Sequence, residues 1–287
     1  MNSPLAHDAN REQADYWNGP AGERWVQQQP FQDRLLAPLL DRLIAACFVA
    51  PGERAIDVGC GCGATTLALA ASTGASGRAL GLDVSAPMIA RAQQRAAEAG
   101  LPAQFALADA ALHDFSAERA DLMVSRLGVM FFGDPALAFA NMRAGLKPGG
   151  RLAFVCWREA KLNPWLMLPY RAVTMHAPKL PPAEPNDPGA FSFADEARVR
   201  HILGEAGFAD VTFTPHDLEI DIAAGQGLEA AVAGSLAIGP ASRALRGQPE
   251  DVRRAAEAEV REALRPYLQG QRLPLAAAIW LVKARNL

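Results

Sequence analysis

Cysteine is scarce. The 287 residues hold only four, Cys47, Cys60, Cys62 and Cys156. Cys60 and Cys62 share one glycine-rich turn, and no second pair completes a zinc-ligand spacing, so no metal is expected. A disulfide framework is not expected either, because a chain of this length can build its own core. Positive charge is not in excess: the formal net charge of −3 leaves no basic footprint for nucleic acid. No run of about 18 apolar residues exists, so no membrane span is expected. The stretch Met1–Asp8 lacks the basic start and apolar run of a secretory signal. Beyond alanine richness, no repeat or low-complexity tract stands out. These absences lead to the expectation of a reduced, cytoplasmic protein without a nucleic-acid partner, and they leave a homo-oligomer open.

What is present is ordinary for a globular enzyme, 50% hydrophobic and 21% charged residues. Its organising stretch is Arg54-Ala55-Ile56-Asp57-Val58-Gly59-Cys60-Gly61-Cys62-Gly63-Ala64-Thr65-Thr66. A short apolar run leads to an acid, then to glycines at alternate positions, then to a helix-forming segment. Glycine is required where φ is positive or where a ligand must approach the backbone. An ordinary turn usually needs one such residue, so three in five positions point to a nucleotide or nucleoside cradle.

Taken in order, residues 8–30 carry Tyr16, Trp17 and Trp25, aromatics that either anchor an N-terminal helix or cap a ligand. Leu35, Leu36, Leu39, Leu40, Leu43 and Ile44 have helical spacing, so an amphipathic helix over 31–49 precedes the first strand. After the glycine turn come a helix over 65–72 and a strand over 79–83 that ends in Asp83. Ser85 and Pro87 open a helix over 86–99. A third strand over 104–108 leads to Asp109 and Ala110, and a fourth over 121–125 leads into Arg126 and the run Gly128–Phe132. Asp134-Pro135 starts another helix, and a fifth strand spans 151–157. Alternating strands and helices predict a mostly parallel sheet covered on both faces, which binds ligands at the carboxyl ends of its strands. Asp83, Asp109, Ser125 and Trp157 all end strands beside the glycine turn.

Beyond this the pattern changes. Pro164, Pro169, Pro178, Pro181, Pro182, Pro185 and Pro188 argue against a long helix or central strand over 158–191. The segment reads as an insertion lying over the site, with Trp165, Tyr170 and His176, or else as a loose linker. Helix over 193–207, strand over 210–222, helical insertion material over 226–247, a charged amphipathic helix over 250–268 and an apolar strand over 273–284 complete the chain.

Gly59-Cys60-Gly61-Cys62-Gly63-Ala64 satisfies the loose dinucleotide pattern G-x-G-x-x-G/A, and Asp83, 20 residues after Gly63, supplies a ribose acid. Three features pull away from a dinucleotide. Asp57 puts a negative charge where a pyrophosphate would sit, Asp109 adds a second strand-end acid, and two closing strands replace a second mononucleotide half. Together Asp57–Gly63, Gly81–Met88, Ala108-Asp109-Ala110 and Leu146–Gly150 resemble a class I S-adenosylmethionine-dependent methyltransferase, nearest the branch of the ubiquinone and menaquinone biosynthesis enzymes. The resemblance covers about residues 50–157. Tyr16-Trp17-Asn18-Gly19 and Gly128–Phe132 also look like bacterial members.

The resemblance implies a Rossmann-like seven-stranded sheet of order 3-2-1-4-5-7-6 with the last strand antiparallel. It also implies a helical cap over 1–50 and a cofactor-binding domain over 51–287, with substrate-covering insertions near 158–191 and 223–248. S-adenosylmethionine is the implied methyl donor and S-adenosylhomocysteine the product. Gly59, Cys60, Gly61 and Gly63 would receive the methionine part, Asp57 and the Ser125 carbonyl its amino group, and Asp83 with Val84 the ribose. Met88, Asp109 and Ala110 would meet adenine, while Trp17 and Trp25 could face the sulfonium. An apolar acceptor pocket is expected from Tyr16, Val129, Met130, Phe131, Trp157 and Trp165. Candidate bases or anchors are His176, His113 and Arg126, each with a structural reading beside it; His201 and His216 read as structural. The expected chemistry is in-line methyl transfer to a small hydrophobic or aromatic acceptor. Two alternatives stand beside it: an NAD(P)-dependent oxidoreductase, and a non-catalytic S-adenosylmethionine-binding protein of the same fold.

Overall fold

The computed structural model describes residues 10–182, 184 and 187–287. Met1–Asp8 and Pro185, on which expectations above drew, lie outside the described residues. The centre is one sheet of seven strands: β1 (Arg54–Val58), β2 (Arg78–Asp83), β3 (Ala103–Leu107), β4 (Ala120–Arg126), β5 (Leu146–Trp157), β6 (Ala209–Asp221) and β7 (Pro274–Arg285), in the order β3-β2-β1-β4-β5-β7-β6. The first five strands pair in parallel, and β7 runs antiparallel to both β5 and β6. This is the order and polarity that the sequence resemblance implied.

The helices between the parallel strands are α4 (Ala64–Thr73), α5 (Ala86–Ala99) and α6 (Pro135–Ala144). Each is started by local chemistry. Gly63 enters α4 at φ 85°, Pro87 lies in the first turn of α5, and the Asp134 carboxylate accepts the Leu137 N–H at 3.0 Å to cap α6. Strand order runs one way from β1 to β3 and the other way from β4 to β5. Right-handed crossovers therefore put α4 and α5 on one face and α6 on the other. The reversal leaves a crevice at the carboxyl ends of β1 and β4, the switch point of such sheets.

Strand β5 starts at Leu146, five residues before the expected Arg151. Leu146 pairs with Ala120 before a register break, so the Lys147–Gly150 turn is drawn into the irregular start of the strand.

The N-terminal segment forms three helices, α1 (Arg11–Asn18), α2 (Pro20–Gln27) and α3 (Gln29–Cys47). Gly19 breaks the first from the second, and Pro20 sits at the first position of α2, where a missing N–H costs nothing. The apolar face of α3 buries Leu35, Leu36, Leu39 and Leu43. It packs against β4, β5, β6 and α4.

The proline-rich segment corrects an expectation. It contains a ten-residue helix, α7 (Pro164–Val173), with Pro169 inside it. Pro164 takes the first turn. The bond that Pro169 forfeits is offset by the burial of Trp165, Leu166, Ala172 and Val173. After α8 (Glu196–Glu205), the helices α9 (Gly227–Ala237), α10 (Gly239–Ala244) and α11 (Glu250–Leu264) join α7 in one packed group. The charged helix ends at Leu264 rather than Leu268, because Pro266 follows within a short 3-10 turn. Its charges face outward, and Ala256, Val260 and Leu264 are buried.

Candidate functional site

The glycine turn after β1 gives each glycine a different task. All three have positive φ, 69°, 54° and 85° for Gly59, Gly61 and Gly63. A Cβ on Gly59 would lie 2.7 Å from the Gly128 Cα, so this glycine lets the loops after β1 and β4 touch backbone to backbone. A Cβ on Gly63 would lie 2.9 Å from the Phe105 ring and 3.0 Å from Ala92, so this position serves packing of α4 against its neighbours. At Gly61 the nearest atoms would be Met88 Sδ at 3.7 Å and Trp25 Nε1 at 3.9 Å. Gly61 is the one whose missing side chain leaves ligand space, and Gly63 does not line the cleft.

Strand ends supply the rest of the edge. Asp83 accepts the Gly61 N–H at 2.8 Å with one oxygen and the Ser85 N–H at 2.9 Å with the other. Burial pushes its carboxyl above the usual range, and these N–H groups pull it back. Val84, Met88 and Ala110 line the same wall. Asp109 accepts the Asn10 side-chain amide at 2.8 and 3.0 Å and the Ala111 N–H at 2.9 Å. Across the sheet edge the order is thus Asp109 just beyond β3, Asp83 at the end of β2, the glycine turn after β1 and Arg126 at the end of β4.

Beyond the glycine turn lies a buried polar pocket. Arg126 donates Nε–H to Thr65 Oγ1 at 3.2 Å and lines the cleft, and burial lowers its pKa. Gln32, on the first turns of α3, is 2% exposed and also lines the cleft, yet neither its amide nitrogen nor its amide oxygen has a partner. Asp33 is bound to Arg95 at 2.6 Å. Asp57 is fully buried beneath the turn and does not line the cleft. Its Oδ2 accepts the Thr66 hydroxyl at 2.7 Å, and its Oδ1 is unpaired. Burial raises its pKa to about 6.

An aromatic wall continues the cleft. Trp17 meets Tyr16, Trp25 and Phe131 edge to face, at centroid distances of 5.0, 6.0 and 5.6 Å. Trp157 and Trp165 meet at 5.0 Å further along. The whole cleft has a volume of about 1580 Å³ and is lined by Trp17, Trp25, Met130, Phe131, Trp157 and Trp165 among others.

Several expected residues lie elsewhere. Val129 points into the core. The Ser125 hydroxyl accepts the Gly128 and Val129 N–H groups at 3.2 Å each and shapes the loop after β4. His113 packs its ring on Phe115 at 4.7 Å, outside the cleft. His176 lies 3.6 Å from Glu259, where α11 meets the end of α7, and does not reach the cleft. Cys60 and Cys62 line the turn, and burial pushes the Cys62 thiol up to about 12. The four cysteines are free and buried, and among the described residues no cluster of metal-ligating side chains occurs. No helix among the described residues is long and apolar enough to cross a membrane.

Sequence reasoning missed Asn10 and Gln32. Gln32 did carry a signal: with Leu35, Leu36 and Leu39 it occupies the apolar stripe of α3, where a polar side chain is out of place. Asn10 carried none, since Asp109 is 99 residues away.

The strand order and the cleft at its switch point define a Rossmann-like enzyme fold. Residues 55–150 match the family described as a methyltransferase domain. Over 193 residues the chain is 32% identical to the nocamycin O-methyltransferase of Saccharothrix syringae, covering 64% of this chain and 69% of that one. It is 34% identical over 133 residues to the aklanonic acid methyltransferase DauC of a Streptomyces strain, covering 45% of this chain and 60% of the relative. The YcgJ protein of Bacillus subtilis superposes with a TM-score of 0.56 at 18% identity, over 86% of this chain and 97% of that one, and so shares the fold. The chain belongs to the class I S-adenosylmethionine-dependent methyltransferases. It spans 44% of the length of mycobacterial relatives to which it is 34% identical.

Proposed function

We propose that this protein transfers a methyl group from S-adenosylmethionine to a small, apolar, ring-bearing acceptor. The carrying observation is the order of chemistry along one sheet edge: carboxylate, carboxylate, open glycine, then a half-buried arginine and an unpartnered glutamine, all lining one cleft. That order suits a ligand with an amino-aromatic ring, a ribose and an α-amino acid, and it does not suit a pyrophosphate.

In this reading Asp109 accepts from the adenine amino group and Ala110 offers its N–H to a ring nitrogen, while Met88 and Val84 pack on the nucleoside. Asp83 accepts the ribose hydroxyls with lone pairs left over from its two backbone bonds. Gly61 and Cys60 present backbone to the methionine part. Arg126 and Gln32 meet its carboxylate and amino group, which satisfies the two orphaned amide atoms. Asp57 acts from beneath, through Thr66 and the turn, rather than by contact.

When bound, the cofactor supplies a sulfonium methyl with a good thioether leaving group. The chain aligns the acceptor and excludes water. Trp17, Trp25 and Phe131 offer aromatic faces and edges beside the positive sulfur. Tyr16, Met130, Trp157 and Trp165 hold the acceptor. Helices α1 to α3 act as the N-terminal cap, and α7, α9 and α10 act as the substrate cover. No histidine lines the cleft among the described residues, so the acceptor that asks least of this chain is one that brings its own lone pair.

Calorimetric titration with S-adenosylhomocysteine and with NADH tests the donor. Binding of NADH without the former overturns the reading. Release of S-adenosylhomocysteine from the donor, followed across phenols, quinols, amines and aromatic acids, tests turnover. Binding without turnover across that panel supports a non-catalytic protein instead.

A further inference from the structure

We propose that Arg243 and Arg246 bind a carboxylate carried by the methyl acceptor, which makes that acceptor an apolar, ring-bearing acid. The inference rests on the methyl-transfer reading above. Both arginines line the cleft. Arg243 belongs to α10, and the Arg246 N–H donates to the Arg243 carbonyl at 3.2 Å, so the turn continues and the two side chains lie one turn apart.

Neither guanidinium has a carboxylate partner among the described residues. The Arg243 side chain has no hydrogen bond, ion pair or ring contact among the described residues. Arg246 stands over the Tyr16 ring at 5.2 Å, a contact that leaves its N–H edge available. In the same helical group Arg261, by contrast, holds Glu229 and Glu257, each at 2.8 Å. Two of the acids that line the cleft are engaged. Asp195 caps α8 with a 2.8 Å bond from the Ala197 N–H, and Glu196 pairs with Arg200 at 2.7 Å.

A guanidinium presents a planar fork of donors that fits a carboxylate bidentately. Trp157, Trp165 and Phe191 supply the apolar wall behind it. The cleft of about 1580 Å³ exceeds the roughly 300–1,000 Å³ of an ordinary ligand pocket, so a ring system fits beside the cofactor. Glu12, Glu159, Glu184 and Asp187 also reach the cleft, which makes a cationic acceptor the rival outcome.

The test uses the full chain saturated with S-adenosylhomocysteine and three probes of one shape: 2-naphthoate, neutral 2-naphthamide and cationic 2-naphthylmethylammonium. We expect naphthoate to bind at least about tenfold more tightly than naphthamide at low salt, with the advantage shrinking as salt rises. Arg243→Gln should remove most of that advantage and Arg246→Gln part of it. Naphthamide and S-adenosylhomocysteine affinities should hold in both variants, which also reports correct folding. Equal binding of naphthoate and naphthamide, tighter binding of the ammonium, or an Arg243→Gln variant that keeps the full advantage overturns the inference. Failure of S-adenosylhomocysteine to bind counts against the methyltransferase reading alone; the probe comparison on ligand-free protein then still tests the arginines.

Discussion

Asn10 donates its side-chain amide to both carboxylate oxygens of Asp109, at 2.8 and 3.0 Å, and accepts the Gly133 N–H at 2.7 Å. One side chain thus ties the start of α1 to the ends of β3 and β4. Asn18 does the same at the other end of α1. Its amide donates to the Val84 carbonyl at 2.8 Å, and its oxygen accepts the Ala86 N–H at 2.9 Å. Helix α1 buries no residue of its own, so two asparagines and the aromatic contacts of Trp17 strap it along the cleft.

Asn10→Ala should therefore loosen α1 without unfolding the sheet. A hydrogen bond to a charged group is worth about 1.5–3 kcal/mol, so amide exchange over residues 11–18 should quicken by about tenfold or more. Exchange in β1 and β4 should not change. Unaltered protection of α1 would show that the strap lies elsewhere.

Gly59→Ala and Gly61→Ala should separate stability from binding. Both place alanine in the left-handed region, which costs on the order of 1–3 kcal/mol. Only Gly59→Ala also drives a Cβ into the Gly128 backbone at 2.7 Å. Overpacking of that kind costs a further 1–3 kcal/mol or so. Urea denaturation should rank Gly59→Ala clearly below Gly61→Ala. S-adenosylhomocysteine titration should find Gly61→Ala the weaker binder for its stability. Equal unfolding midpoints would refute the assignment of the two glycines.

Gln32→Leu should stabilise the ligand-free protein and weaken cofactor binding. The unpartnered buried amide costs about 1–3 kcal/mol, which leucine removes. The same change deletes the contact proposed for the amino-acid end of the cofactor. S-adenosylhomocysteine affinity should fall, while that of 5′-methylthioadenosine, which lacks this end, should hold. Parallel losses for both ligands would place Gln32 outside that contact.

Asp57 should give the ligand-free protein a stability that falls as pH rises. Its carboxyl, raised to about 6 by burial, binds a proton in the folded chain at pH values where the unfolded chain has released it. The contribution is complete below the usual carboxylate range near 4, is lost as pH climbs to about 6, and amounts to a few kcal/mol. Denaturation midpoints measured from pH 4 to 7 should show this decline in the wild type, and Asp57→Asn should flatten it. An identical slope in the variant would mean that other groups set the pH dependence.

Much of this architecture was legible in the residues because its causes are local. The apolar runs before Asp57, Asp83 and Asp109 are strands for reasons contained in each segment, and Pro87, Asp134 and Gly207 punctuate the chain by their own backbone chemistry. The alternation of strands and helices then allows few topologies, and the resemblance of four motifs selected one. The order of the two carboxylates and the glycine turn along the edge followed from that choice.

What only the tertiary structure decided depends on which distant atoms fill a given space. The three glycines look alike in the chain, yet Gly128 and Phe105 occupy the space beside two of them and leave Gly61 open. Val129 and His113 sit in promising sequence positions, but the short 3-10 turn that carries Val129 buries it in the core, and the loop after β3 sets the His113 ring on Phe115. Pairing of Asn10 with Asp109 and the unsatisfied amide of Gln32 arise across long stretches of chain, where no local propensity acts. The sequence by itself determined the sheet and the edge that holds the cofactor motif. Packing between remote segments decided which side chains reach that edge, and it alone brought Arg243 and Arg246 to the cleft.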